Sequence, residues 1–435
     1  MSKAPTPVSD DPAPAAAVPW YPPIAWDRVG VVGFRLATLG LRFGLTFYII
    51  SMLGLEAAGS FGLILGAAAI APAAVGLGLS YYLARDVAGQ TPAIAAAMVA
   101  QRWKATLLVM ALATIVAVGL AMVFAVPITR VILLTGMILW LEVIGLDLFL
   151  VLISLEFTLA ANVIVFIRTA AWIPVVVALT IFVPEARSLD AVLGAWLGGH
   201  LASLVYLAFV VRKWPLATGG ERRAQKGWVH RHLGRSWFIY ISDLAIVGAV
   251  FLDRFILNSM AGLAITGIFA FYWALANAAQ TLVVTAVVQP AFPGLLRHFR
   301  AGNLTAWWRE VERTMLRAVA SAVLAGGAIA AATGAIIWLS PAGRFPVAIG
   351  LFALLLAAAA LRACAELLNY ALISAGHDRS YAAINVVGVV MAAVLTYLGL
   401  RSFGLVGVGL AVAFNALLLV AIRFVRLRAI RADAR

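Results

Sequence analysis

Apolar runs of about twenty residues, each bounded by a short polar or proline-bearing interruption, recur from residue 27 to residue 426. Within each run the apolar residues are continuous rather than alternating, and Leu, Ala, Val and Gly dominate. That is the pattern of a helix apolar on all sides, not of a half-buried strand. At 1.5 Å per residue, roughly twenty residues cross the ~30 Å of hydrocarbon in a bilayer. There the backbone must satisfy its own hydrogen bonds, which helices do segment by segment. The pattern predicts twelve spans, at 27–52, 60–84, 101–126, 129–157, 160–183, 189–212, 236–260, 264–290, 310–339, 346–372, 380–400 and 404–426. The fold class is therefore an all-α, polytopic membrane protein. Pro127, Pro184, Pro215, Pro290 and Pro341 sit near the expected ends.

The pattern also repeats. Phe47–Phe61 reads FYIISMLGLEAAGSF and Phe255–Phe269 reads FILNSMAGLAITGIF. At a constant offset of 208, Phe47, Ser51, Met52, Gly54, Leu55, Gly59 and Phe61 find identical partners. Both stretches fall at the turn after the first span of a six-span half. Six is even, so both halves start on the same side. That predicts two six-helix bundles related by a pseudo-twofold axis along the membrane normal, with a cleft between them that opens by alternating access. The expected organisation is an N-tail at 1–25, a first bundle at 26–212, a basic linker at 213–235, a second bundle at 236–428 and a basic tail at 429–435.

Composition agrees. The 435 residues are 64% hydrophobic and 11% charged, with a mean hydropathy of +1.03. A net charge of +14 in a soluble chain would suggest nucleic acid, but here it reads as topology and no nucleic-acid partner is expected. Of 32 Lys and Arg residues, 23 fall in the two tails, the loops on their side of the membrane or the span ends adjoining them. The opposite loops hold only Arg130, Arg187, Arg344 and Arg401. This bias predicts both termini in the cytoplasm and a bacterial inner-membrane location. The basic stretch from Arg212 to Arg235 is expected to lie against anionic lipid headgroups. The first twenty residues, rich in Pro and Ala, are expected to be disordered and carry no cleaved signal. A single cysteine, Cys364, excludes an intrachain disulfide.

Three segments resemble the polysaccharide flippases of the multidrug/oligosaccharidyl-lipid/polysaccharide exporter superfamily. They are LGLEAAGSFGLILGAAAIAPAAVGLGLSYYLARDVAG, then DRFILNSMAGLAITGIFAFYWALANAAQ running on to QPAFPGLLRHFRAG, and AELLNYALISAGHDRSYAAINVVGVVMAAVLTYLGLRSFGLVGVGLAVAFNALL. One departure is that Ser60 separates Gly59 from Phe61. The resemblance spans 27–428. It implies two six-helix bundles around a V-shaped cavity. The implied activity is movement of undecaprenyl-(pyro)phosphate-linked oligosaccharide repeat units from the cytoplasmic to the periplasmic leaflet, for surface polysaccharide such as O-antigen or exopolysaccharide. Coupling to an H+ or Na+ gradient, no organic cofactor and a possible polysaccharide polymerase partner follow from the same resemblance.

Charges inside spans carry the remaining signal, because an ionisable group in hydrocarbon is costly and is a functional hypothesis by default. Arg28, Arg35 and Arg42 are seven apart, close to two helical turns, so they share a face in steps of roughly 10 Å. Guanidinium stays charged and grips phosphate bidentately, which suits a track for a pyrophosphate or acidic sugar. Arg168, Arg254 and Arg362 are further substrate-binding candidates. Among the carboxylates along span four, Glu142, Asp147 and Glu156, Asp147 is deepest and is the first ion-coupling candidate; Asp243 and Glu366 follow. Pairing of these acids with arginines, including Arg362 with Glu366 four residues on, is the plainer reading. Asn162, Asn277, Asn369, Asn385 and Asn415 are expected to hydrogen-bond between helices, and Gly40 and Gly44 to mark close packing. Trp20, Tyr21, Trp26, Tyr48, Trp214 and Trp228 are expected interfacial anchors. Trp140, Trp172, Trp196 and Trp273 lie deeper.

Four rivals remain. A multidrug exporter of the same superfamily would want an apolar or acidic cavity for cations. A peptidoglycan-precursor flippase would have fourteen spans. A membrane glycosyltransferase or ligase would need a large outer loop, and no such loop, nucleophile triad, Walker motif or HExxH appears. A non-transporting scaffold of polysaccharide assembly has no need of charges inside its spans.

Overall fold

The structure is a computed structural model that describes residues 25–212 and 226–433. The expected N-tail and most of the linker, with Trp20, Tyr21 and Trp214, lie outside the described residues. Ten helical stretches are long and apolar enough to cross a membrane. Two of them run for 73 and 53 residues, over twice what one crossing needs. Each is broken once, at Gly262 (φ 81°, ψ 178°) and at Gly404 (φ 59°, ψ −142°), where the chain doubles back. The described chain thus makes twelve crossings. They are α1 (25–53), α2 (55–87), α3 (Pro92–Val123), α4 (Arg130–Ser154), α5 (Thr158–Phe182), α6 (Leu189–Val211), α7 (228–261), α8 (263–300), α9 (Leu304–Leu339), α10 (Ile349–Ser374), α11 (378–403) and α12 (405–433).

Local chemistry explains several ends. Thr91, Thr129, Ser188 and Asn303 cap α3, α4, α6 and α9, each accepting a backbone N–H three residues on. Two helices outrun the sequence pattern. The helix of span eight continues past the expected span end at Pro290, through a π-turn at Val284–Val288, to Arg300. Likewise α7 starts at Trp228, before the expected linker ends. Trp228 is not an exposed anchor but is 1% accessible, with its Nε1–H donating to Asp86 Oδ2 at 3.0 Å. Tyr48, also expected at the interface, is buried and donates to Thr180 Oγ1 at 2.8 Å.

The internal repeat is written into the backbone. Gly54 (φ 87°, ψ 178°) and Gly262 (φ 81°, ψ 178°) adopt the same glycine-only conformation at equivalent positions. Five residues further on, Gly59 and Gly267 face each other where α2 crosses α8. A Cβ on Gly59 would strike the Leu263 carbonyl, and one on Gly267 the Leu55 carbonyl. All four positions obey the offset of 208. Such reciprocal contact is what a twofold axis through the crossing requires. Gly267→Ala is expected to force the two helices apart and cost about 1–3 kcal/mol. A melting temperature in detergent equal to wild type would show that the crossing is not close-packed.

Lipid-facing surfaces are apolar, as on α3 (Leu108, Leu112, Ile115) and α9 (Leu316, Val323, Leu324). Gly40 and Gly44 correct an expectation. A Cβ at either meets nothing within 4 Å, because α1 packs through another face and leaves its glycine side open. One face of the molecule carries the start of α1, the end of α12 and, among the described residues, the basic stretches around Arg85, Arg231, Arg297 and Arg379, and is called the basic face. On the opposite face the bundles close together: Phe47 packs edge-on against Phe271 and Phe345, at centroid distances of 5.2 and 5.5 Å. Tyr272 donates to the Pro346 carbonyl at 2.6 Å beside them.

Candidate functional site

Between the bundles a cavity of about 580 Å³ extends from the aromatic seal toward the basic face. Helix α1 contributes Arg35, Leu39, Arg42 and Thr46, residues three to four apart on one stripe. Across from it stand α5, α7 and α8. Among the described residues, those lining the cavity with a charge are four arginines, Arg35, Arg42, Arg168 and Arg254, and one carboxylate, Glu142.

Each charge is held in its own way. Arg35 is accessible, and its Nε donates to Asn162 Oδ1 at 3.1 Å. Arg168 sits on the π-turn Ile167–Ala171, the kind of local widening that re-aims a side chain. Its guanidinium lies over Gly145, where a Cβ would approach Nη1 to 2.5 Å, and it binds Glu142 Oε2 at 2.6 Å. The other oxygen, Oε1, is 3.4 Å from Nε2 of His200. Arg42 is accessible within the cavity and feels both Glu142 and Arg168. Arg254 is buried between aromatic faces, 4.2 Å from the Trp273 centroid and 4.6 Å from that of Phe251. An aromatic wall completes the site, with Trp172 stacked on Trp196 at 6.3 Å and 16° and Phe61 tilted against Trp196.

The family described as polysaccharide biosynthesis protein matches residues 31–299, well over half of the chain. The chain belongs to that family. No curated protein sequence matches it. Solved structures place this polysaccharide biosynthesis protein in a transporter fold. It is similar to a multidrug resistance MATE family transporter of the MOP superfamily in an inward-facing conformation, with TM-score 0.66, 13% identity and coverage of 94% of this chain and 99% of that one. It also resembles a MATE protein in complex with MaD3S, with TM-score 0.62, 14% identity and coverage of 94% and 97%. A MOP superfamily transporter from Pyrococcus furiosus, described as having a binding pocket of reversed polarity, follows with TM-score 0.53, 12% identity and coverage of 93% and 97%. Family, fold and apolar helices together make it a multi-pass membrane protein of the polysaccharide biosynthesis family with a transporter-like fold.

Within this polysaccharide biosynthesis protein, the expected binding residues Arg35, Arg42, Arg168 and Arg254 meet around one cavity. Arg28 lies outside the residues whose side chains are described. Arg362 stands one layer back, lining a small pocket with Trp273, Asn277 and Gln280. Its electrostatic partner is Asp253 of α7 rather than the expected Glu366, which accepts from Asn369 Nδ2 at 3.2 Å.

The coupling candidates are not at the cavity wall. Asp147 is 1% accessible inside the first bundle, with Oδ2 3.4 Å from Arg102 Nε and Oδ1 accepting from Ser80 Oγ at 2.7 Å. Asp243 is exposed on α7, toward Tyr381 of α11, and does not line the cavity.

Three functional groups escaped the pattern. Arg102 and Arg423 fell among the loop cations but are buried, at 1% and 4% accessibility. Arg423 joins α12 to the Ala365 carbonyl of α10 at 3.0 Å and to Asn385 Oδ1 of α11 at 2.9 Å. His200 was not singled out, although a lone ionisable residue in the middle of an apolar run was a readable signal.

Proposed function

We propose that this protein flips an anionic lipid-linked oligosaccharide, the repeat unit of a surface polysaccharide carried on a polyprenyl (pyro)phosphate, from the cytoplasmic to the periplasmic leaflet of the bacterial inner membrane. The basic face is the cytoplasmic one, by the excess of Lys and Arg in its loops. The observation that carries this reading is the charge of the cavity, with four arginines against one carboxylate. Such a field attracts phosphate and repels the cationic drugs of a multidrug exporter. The aromatic wall offers flat faces for sugar rings beside the charged pole. Alternation consists of breaking the Phe47–Phe271–Phe345 seal while the bundles pivot about the Gly59–Gly267 crossing. Gradient coupling through an H+ or Na+ site belongs to the same reading.

The test is a deletion strain. Loss of the protein is expected to leave lipid-linked repeat units in the cytoplasmic leaflet, inaccessible to a membrane-impermeant glycan label, and re-expression is expected to restore labelling. Accumulation of a cationic dye instead, with glycan labelling unchanged, would support the drug-export reading and overturn this one.

A further inference from the structure

Among the described residues, Glu142 is the one carboxylate lining a cavity whose other charged residues are four arginines, and it does not face away from them. Its Oε2 binds Arg168 at 2.6 Å, and Arg42 across the cavity feels it as well. The other carboxylate oxygen, Oε1, faces His200, whose Nε2 is 3.4 Å away. His200 is 1% accessible and stacks on Trp196, so it forms a fixed wall. The Arg168–Glu142 pair is 10% and 13% accessible, at the edge of the open space. An anionic headgroup entering the cavity therefore finds Arg168 already paired and Arg42 within the field of the same carboxylate.

We propose that Glu142 is an internal counter-ligand: it holds Arg168 and attracts Arg42 across the cavity, yields both to the headgroup, and expels the headgroup by recapturing Arg168. This rests on the anionic cargo proposed above and narrows it. A headgroup must engage both guanidiniums at once to displace a carboxylate held at 2.6 Å, which suits the paired phosphates of a diphosphate. After displacement, Glu142 keeps His200 as its partner and is not left alone, so the exchange avoids an unpaired buried charge. Four uncompensated arginines would bind a diphosphate too tightly to release it; a resident competitor lowers affinity at both ends of the cycle. Glu142 is thus a positioning and release residue.

The test separates binding from turnover. Affinity for inorganic pyrophosphate is measured by titration calorimetry on the purified full chain. Translocation of a short-chain polyprenyl diphosphoryl glucose is followed in reconstituted vesicles. Glu142→Gln is expected to bind pyrophosphate roughly tenfold more tightly, one charge-assisted competitor having been removed. At saturating cargo it should translocate several-fold more slowly. Glu142→Asp, which keeps the charge, should stay near wild type in both. Equal or weaker pyrophosphate binding in Glu142→Gln, or a faster saturated rate, overturns the proposal. If lone Arg168 prevents folding, the double variant Arg168→Gln/Glu142→Gln must still bind more tightly than Arg168→Gln alone, through the freed Arg42; equal affinity overturns it. Failure of the underlying cargo reading looks different: wild type would bind no pyrophosphate, and Arg42→Ala would change nothing.

Discussion

Arg42→Ala is expected to cut translocation by roughly ten- to a hundredfold, while the protein inserts and accumulates as wild type does. A charge-assisted hydrogen bond to phosphate contributes about 1.5–3 kcal/mol, which sets that range. Arg42 is chosen because it has no structural duty that its loss would expose. Its side chain is accessible in the cavity, and its two charged neighbours, Glu142 and Arg168, are bonded to each other. Arg35→Ala should have a similar but smaller effect, since Arg35 also steadies Asn162. Arg42→Lys keeps the charge but loses the planar fork, so partial transport is expected. Glycan labelling in intact cells complemented with each variant, beside an immunoblot of membranes, reads both quantities. Full labelling with Arg42→Ala would remove the charged cavity from the mechanism.

The second large effect concerns stability. Arg102→Ala leaves Asp147 buried in the first bundle with its charge unpaired by Arg102 and the Ser80 hydroxyl as hydrogen-bond donor. Breaking a buried pair from one side typically costs about 3–5 kcal/mol, enough to collapse a marginally stable protein. Replacing both partners, as Arg102→Leu/Asp147→Leu, should recover most of that loss, because two well-packed apolar side chains carry no desolvation penalty. Melting temperatures of the single and double variants in one detergent give the comparison. The same pair decides what Asp147 is for. A double variant that is stable and still transports along a gradient makes the pair structural. A double variant that is stable but has lost gradient dependence makes Asp147 the coupling group that its depth in span four suggests.

What the sequence determined by itself was periodic or local. Uninterrupted apolar runs set the all-helical membrane class, because hydrocarbon leaves the backbone no other partner. The offset of 208 set the twofold relation, because identical residues at the Gly54 and Gly262 turns demand the same backbone. The heptad spacing of Arg35 and Arg42 put both on one face, because seven residues nearly close two turns. What only the tertiary structure decided was which helix stands opposite which charge. Asp147 and Glu142 are five residues apart on α4, and nothing local distinguishes them. Asp147 turns inward to Arg102 and Ser80, while Glu142 turns to the cavity, Arg168 and His200. Arg102 reads as a loop cation until α3 is packed against the first bundle. Arg362 has an acid four residues away, yet it answers to Asp253 on another helix. In each case the deciding interaction joins residues far apart in the chain. Coulomb energy in a low-dielectric interior depends on the distance across the bundle rather than on separation along the sequence.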